Sequence, residues 1–218
     1  MVSRPEDFIR AQTRIGRPGL VPELRLHLAT ELAPLWRATQ RELDDLDLPP
    51  PYWAFSWPGG QALTRLVLDQ PHWVAGKKVL DFAAGSGLSG IAAALRRARR
   101  VVAAEIDPYA AAAIALNADL NGVRVEVDSH DLVGRRDLGF DVVLAGDVCY
   151  EKPMAERVFA WFQELAADGV TVLMGDPGRA YLPGRHLVET ARYQVRTSTD
   201  LEDRDMRETV VWRIDNKA

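Results

Sequence analysis

The sequence predicts an α/β fold: a mostly parallel β-sheet flanked by helices, closed by antiparallel C-terminal strands and preceded by a helical extension. Three observations predict it. From about Gln61 onward, short apolar runs alternate with helix-like stretches, the pattern of βαβ units. The apolar run "VLDFA" (Val79 to Ala83) leads into the glycine-rich "GSGLSG" (Gly85 to Gly90), a strand-to-helix turn suited to a nucleotide-like ligand. The C-terminal region holds two β-rich runs with no helix between them.

Residues 1–50 read as a helical extension packed on a main domain of residues 51–218. "PELRLHLATELAPLW" (Pro22 to Trp36) opens with proline at a helix start and spaces Leu24, Leu28, Leu32 and Leu35 at helical intervals. A proline-rich break, "LDLPPPYWAFSWPGG", follows. "QALTRLVLD" then puts Leu63, Leu66 and Val67 on one helical face. "KKVLDFA" is a strand, "LSGIAAALRRA" a helix and "RVVAAEI" a strand. The next helix starts at Pro108 and stops at Gly122, a residue that tolerates the left-handed C-terminal position. "VRVEVD" and "FDVVLAGDV" are strands. "KPMAERVFAWFQELAADG" is an amphipathic helix closed by Gly169, and "VTVLMGD" is a further strand. "YQVRTSTD" and "ETVVWRID" form an antiparallel pair that closes the sheet. Right-handed crossovers place the active crevice at the carboxyl ends of the parallel strands.

Bulk properties narrow the function. The chain has 218 residues, 47% apolar and 27% charged, ordinary for a soluble globular protein. A net charge of −4 offers no footprint for a phosphate backbone and disfavours nucleic acid as a partner. The basic run "RRARR" (Arg96 to Arg100) suits the solvated end of a helix. The single Cys149 supports neither a disulfide framework nor a Cys-rich zinc site, and the four histidines lack metal-ligand spacing, so no metal is expected. No run of about 18 apolar residues suggests a membrane span. The N-terminus lacks the apolar core of a leader. A monomer in a reducing, cytoplasmic setting is the expectation.

The glycine turn alone leaves the cofactor open. "GSGLSG" satisfies the dinucleotide pattern, and Glu105 ends the next strand where an acid would hold ribose hydroxyls. A NAD-dependent oxidoreductase is therefore a rival. Two features together favour S-adenosylmethionine (SAM). Asp81, at the strand end, would repel a pyrophosphate but can face the ammonium and sulfonium charges of SAM. The C-terminal antiparallel pair fits the Rossmann-like, seven-stranded methyltransferase sheet. Asp81 also fits a simpler role, capping the following turn. Asp107 is read as the cap of the helix starting at Pro108. In "DSHDL" (Asp128 to Leu132), Asp131 or His130 could meet the adenine edge.

"GDVCYE" (Gly146 to Glu151) follows the fourth strand, beside the expected methyl. Asp147 and Tyr150 set a carboxylate and a phenol toward one pocket. A lysine amine must lose a proton to become a nucleophile, which costs about 4 kcal/mol near neutral pH. Asp147 can accept the amine N–H and aim its lone pair, while Tyr150 packs along the lysine stem. Cys149 has no histidine partner and reads as packing. "PYWAFSWPGGQAL" is an aromatic loop before a helix. "GDPGRAYLPG" forces a turn at the same sheet edge, where Arg179 could bind an acidic substrate surface.

Together, "PYWAFSWPGGQALTR", "VLDFAAGSGLSGIAA", "EIDPYAAAAIALNADLN", "GDVCYE" and "GDPGRAYL" resemble the electron transfer flavoprotein beta-subunit lysine methyltransferases, family-16 seven-β-strand SAM-dependent enzymes. The resemblance runs from about Pro22 to Trp212. It implies that Trp57, Asp81, Gly85 and Glu105 line the SAM site, with Gly87 in the same turn. It also implies that Asp147 and Tyr150 fill the acid-x-x-aromatic motif at the lysine entrance. Ala83 stands where the family has a glycine, beside the methionine moiety. The implied substrate is a set of lysines on the flavoprotein beta subunit. Other readings are methylation of a ribosomal protein, methylation of an amide or base nitrogen, or a SAM-binding scaffold without turnover. Val148 and Cys149 replace the two prolines that the amide-clamping motif requires.

Overall fold

The computed structural model describes residues 4–29, 50–197 and 205–215. Its centre is a seven-stranded sheet of β3 (Lys78–Phe82), β4 (Arg100–Ala104), β5 (Glu126–Asp128), β6 (Val142–Gly146), β7 (Thr171–Asp176), β8 (Leu187–Arg196) and β9 (Met206–Ile214). The spatial order is β5-β4-β3-β6-β7-β9-β8. The first five of these run parallel. β9 inserts antiparallel between β7 and β8, as the two C-terminal β-rich runs suggested. The order reverses between β3 and β6, and that switch point is where open α/β sheets leave a crevice.

Alternation along the strands sends apolar side chains to both faces. Val79, Val101, Val142, Leu173 and Val211 pack with Leu63, Leu66 and Val67 of α2 (Pro58–Asp69) and Ile91 of α3 (Leu88–Leu95). Leu80, Phe82, Val102, Val143 and Val172 pack on the opposite face with Val158, Trp161 and Phe162 of α5 (Lys152–Ala167). A third cluster joins Ile9 of α1 (Pro5–Gln12) to Trp53 and Phe55 of the aromatic loop and to Ala113 of α4 (Pro108–Leu120). Each cluster removes apolar surface from water at about 25 cal/mol per Å². Gly122 and Gly169 follow α4 and α5 at φ +65 and +90, so the left-handed stops foreseen there are present.

The extension differs from the expected helix. Leu26–Leu28 forms strand β2, antiparallel to β1 (Arg14–Gly16), while α1 is a helix the leucine spacing did not point to. Leu24, Leu26 and Leu28 recur at every second residue, so a spacing of four suits strand and helix equally. Side chains from α4 and its C-cap residue hold the extended backbone in place. Asn117 Oδ1 accepts from His27 N at 2.7 Å, and Asn121 bonds both the N–H and the carbonyl of Arg25. Leu32 and Leu35 lie outside the described residues. Among the described residues, no helix is long and apolar enough to cross a membrane, and no group of three His, Cys, Asp or Glu is placed to hold a metal.

Candidate active site

The turn after β3 is built from left-handed backbone. Ala83, Gly85 and Gly87 have φ of 50, 53 and 77. Glycine adopts such angles freely, but alanine there costs about 1 kcal/mol. Gly87 is also the N-cap of α3, and a Cβ on it would press on Ile114 of α4 at 3.1 Å. Around this turn, several backbone donors are already engaged. Glu105 Oε2 accepts from Gly85 N at 2.9 Å and its Oε1 accepts from Asp107 N at 3.1 Å. Asp107 caps α4 by accepting from Tyr109 N, the role the sequence assigned it. Gly87 N donates to the Ala84 carbonyl.

Asp81 is 3% exposed, and its Oδ2 accepts from Gly90 N, in the first turn of α3, at 2.7 Å. Burial pushes its carboxyl up to about 7; the Gly90 N–H opposes this and the Glu105 charge adds to it. Burial likewise raises Glu105, against the pull of the Asp107 and Gly85 N–H groups. The capping role for Asp81 is therefore present.

A parallel arrangement stands at the end of β6. Asp147 has φ 56 and is 8% exposed. Its Oδ2 accepts from Gly60 N, in the first turn of α2, at 3.0 Å. Its Oδ1 accepts from Arg179 Nη2 at 2.8 Å and Nε at 3.2 Å. Burial raises the carboxyl to about 6, with Arg179 opposing and the nearby Asp176 adding. The contact between α2 and the sheet is made by glycines. A Cβ on Gly59 would fall on the Gly175 carbonyl oxygen and on the Asp147 carboxylate, and one on Gly146 would meet the Gly60 backbone at 2.8 Å. Asp176, 1% exposed, fixes the next turn: its Oδ1 accepts from Gly178 N and Arg179 N, both at 2.7 Å.

The mouth is aromatic. Tyr150 is 45% exposed, with its ring 5.7 Å from that of Tyr52. Trp57 Nε1 donates to the Tyr52 carbonyl at 2.8 Å, and the Arg179 guanidinium lies 5.7 Å above the Trp57 ring. Asp147, Tyr150 and Trp57 are thus joined through Arg179 and Tyr52. Cys149 is buried, and burial pushes its thiol up to about 12, so no thiolate forms near neutral pH.

Asp131 and Arg179 are both held in ion pairs. Asp131 is not brought into this group: it is exposed, its Oδ2 accepts from Arg157 of α5 at 2.7 Å, and its Oδ1 accepts from Val133 N. Arg179 turns inward to Asp147, not outward to an acidic surface. The sequence reading missed the Gly60 amide, Tyr52 and the Arg179–Asp147 pair. The turn-forming "GDPGR" was the available signal for Arg179. A cavity of about 630 Å³ lies elsewhere, around Thr13, His27 and Asp119, and contains none of the candidate residues.

Comparison with known proteins accords with this geometry. The family model "Ribosomal protein L11 methyltransferase (PrmA)" matches residues 61–175. The electron transfer flavoprotein beta subunit lysine methyltransferase of Xenopus laevis is 36% identical over 214 residues, covering 95% of this chain and 86% of the relative. The Homo sapiens protein of that name is 35% identical over 215 residues, covering 94% and 80%. Among solved structures, a ribosomal protein L11 methylase from Lactobacillus delbrueckii subsp. bulgaricus aligns with a TM-score of 0.51 at 19% identity, covering 74% of this chain and 81% of that one, which shows the shared fold. The chain belongs to the electron transfer flavoprotein beta subunit lysine methyltransferase family.

Proposed function

We propose that the protein is a SAM-dependent lysine methyltransferase acting on the beta subunit of electron transfer flavoprotein. One observation carries the choice of cofactor: two carboxylates line the turn where a pyrophosphate would sit. Glu105 occupies the Gly85 amide and Asp81 the Gly90 amide in the first turn of α3. A dinucleotide phosphate would meet two acids there, against the usual preference of a helix N-terminus for anions. A cationic ligand fits instead. Burial holds both carboxyls above their ordinary range, and a neighbouring ammonium or sulfonium would relieve that.

In this reading Glu105 accepts the ribose hydroxyls through the lone pair left on each oxygen. Asp81 faces the ammonium, Ala83, Gly85 and Gly87 shape the backbone beside it, and Trp57 closes the mouth. Asp131 contacts the adenine amino group while still paired with Arg157. When bound, SAM would supply an electrophilic methyl: the lysine ammonium first loses a proton to solvent, the amine lone pair then forms the N–C bond as the S–C bond breaks, the thioether leaves and the methylated amine carries the positive charge. Asp147 accepts an amine N–H and aims the lone pair. Tyr150 and Tyr52 flank the apolar stem and limit water. The same reading places the protein in the cytoplasm as a monomer.

The test combines thermal shift with SAM and with NAD and methyl transfer to purified electron transfer flavoprotein beta subunit, read by mass spectrometry. Stabilisation by SAM alone and methylated lysines are expected. Stabilisation by NAD in place of SAM, or no methyl added to the beta subunit, refutes the proposal.

A further inference from the structure

We propose that Arg179 is a positioning residue for the reaction: it neutralises Asp147 in place, so that an incoming lysine meets a compensated ion pair rather than a bare carboxylate. The inference rests on the lysine methyltransferase reading. It answers a difficulty in that reading. A lone buried carboxylate would hold the amine as ammonium, the form that cannot attack.

The geometry supports a fixed pairing. Asp176 Oδ1 takes the Gly178 and Arg179 backbone N–H groups, which sets the turn. The Trp57 face lies beneath the guanidinium. Nε and Nη2 converge on the single oxygen Oδ1, while Gly60 N holds Oδ2. The side chains of Arg179 and Asp147 are 18% and 10% exposed, so solvent screens the pair weakly. The charged and titratable groups around Asp147 are Arg179, Asp176 at the end of β7 and the Cys149 thiol; α2 contributes the Gly60 N–H. With Arg179 present, the carboxylate keeps a lone pair on Oδ2 for an amine N–H, yet its net attraction for a proton on that amine is offset.

The test is kcat against pH, which reports ionisations in the enzyme–substrate complex, using the beta subunit as acceptor. Arg179→Gln should move the acid limb upward by about one pH unit or more. Asp147→Asn leaves Arg179 uncompensated and should move it downward. The double variant should return it toward wild type, and Arg179→Lys should rescue it. An unmoved limb in Arg179→Gln, or a double variant that keeps the upward shift, overturns the proposal. If Arg179→Gln does not fold, Arg179→Met, which keeps the stem against Trp57 but removes the charge, takes its place with the same expected upward shift.

A second readout needs neither donor nor acceptor: the side-chain carboxyl of Asp147 followed by NMR in the free protein. It should titrate upward in Arg179→Gln relative to wild type, and no change overturns the pairing. If the wild type fails to methylate the beta subunit, the proposed function falls, while this titration still judges Arg179.

Discussion

Asp81 is an acid that its surroundings discourage from ionising. Its folded pKa of about 7 lies above the ordinary 3.8. Its contribution to stability is thus fully present below pH 3.8 and is lost as pH rises through 7, on the order of 4 kcal/mol in all. Asp81→Asn keeps an acceptor for the Gly90 N–H without the charge. It should raise the melting temperature at pH 8, with the advantage fading toward pH 4, and should weaken SAM binding measured by calorimetry. Stability and function then separate at one residue. Ala83→Gly tests the strained turn: at φ 50, the change should stabilise by up to about 1 kcal/mol in chemical denaturation. At this scale the sequence marked most of the residues gathered at the candidate site, because strand ends and glycines mark positions by register. The Arg179–Asp147 bond was invisible, since it joins residues 32 apart through a turn whose direction only the folded sheet determines.

Helix α2 depends on the absence of side chains on its inner first turn. Gly59→Ala would drive a Cβ into the Gly175 carbonyl and should destabilise by about 3 kcal/mol or more, read from the denaturant midpoint. Its neighbour is the control. Gly60 has open space at its Cβ position, so Gly60→Ala should stabilise by about 0.5–1 kcal/mol through helix propensity. Element types were legible where periodicity was unambiguous: β3, β4, β6 and β7 as apolar runs, α5 by its amphipathic stripe. β2 was misread because leucines at every second position also recur at four. The asparagine side chains of α4 and its C-cap that capture the backbone of His27 and of Arg25 before it lie ninety or more residues away.

Across the whole molecule, the sheet should unfold unevenly. β3 and β6 are interior, covered on both faces, and their amides should exchange only with global unfolding. β8 is an edge strand, irregular between Glu189 and Ala191 and carrying Glu189, Arg192 and Arg196 outward. Such edges resist pairing with other chains, and its amides should exchange first in hydrogen–deuterium measurements. The overall α/β order was legible because local and global preferences agree there. The join between α2 and the β6–β7 ends has a further consequence. Backbone rests on backbone, with no rotamers to repack, so this wall cannot breathe to suit different acceptors. Whatever tolerance the enzyme has for the shape of its target must reside in the exposed tyrosines at the rim, making that rim the place to engineer selectivity.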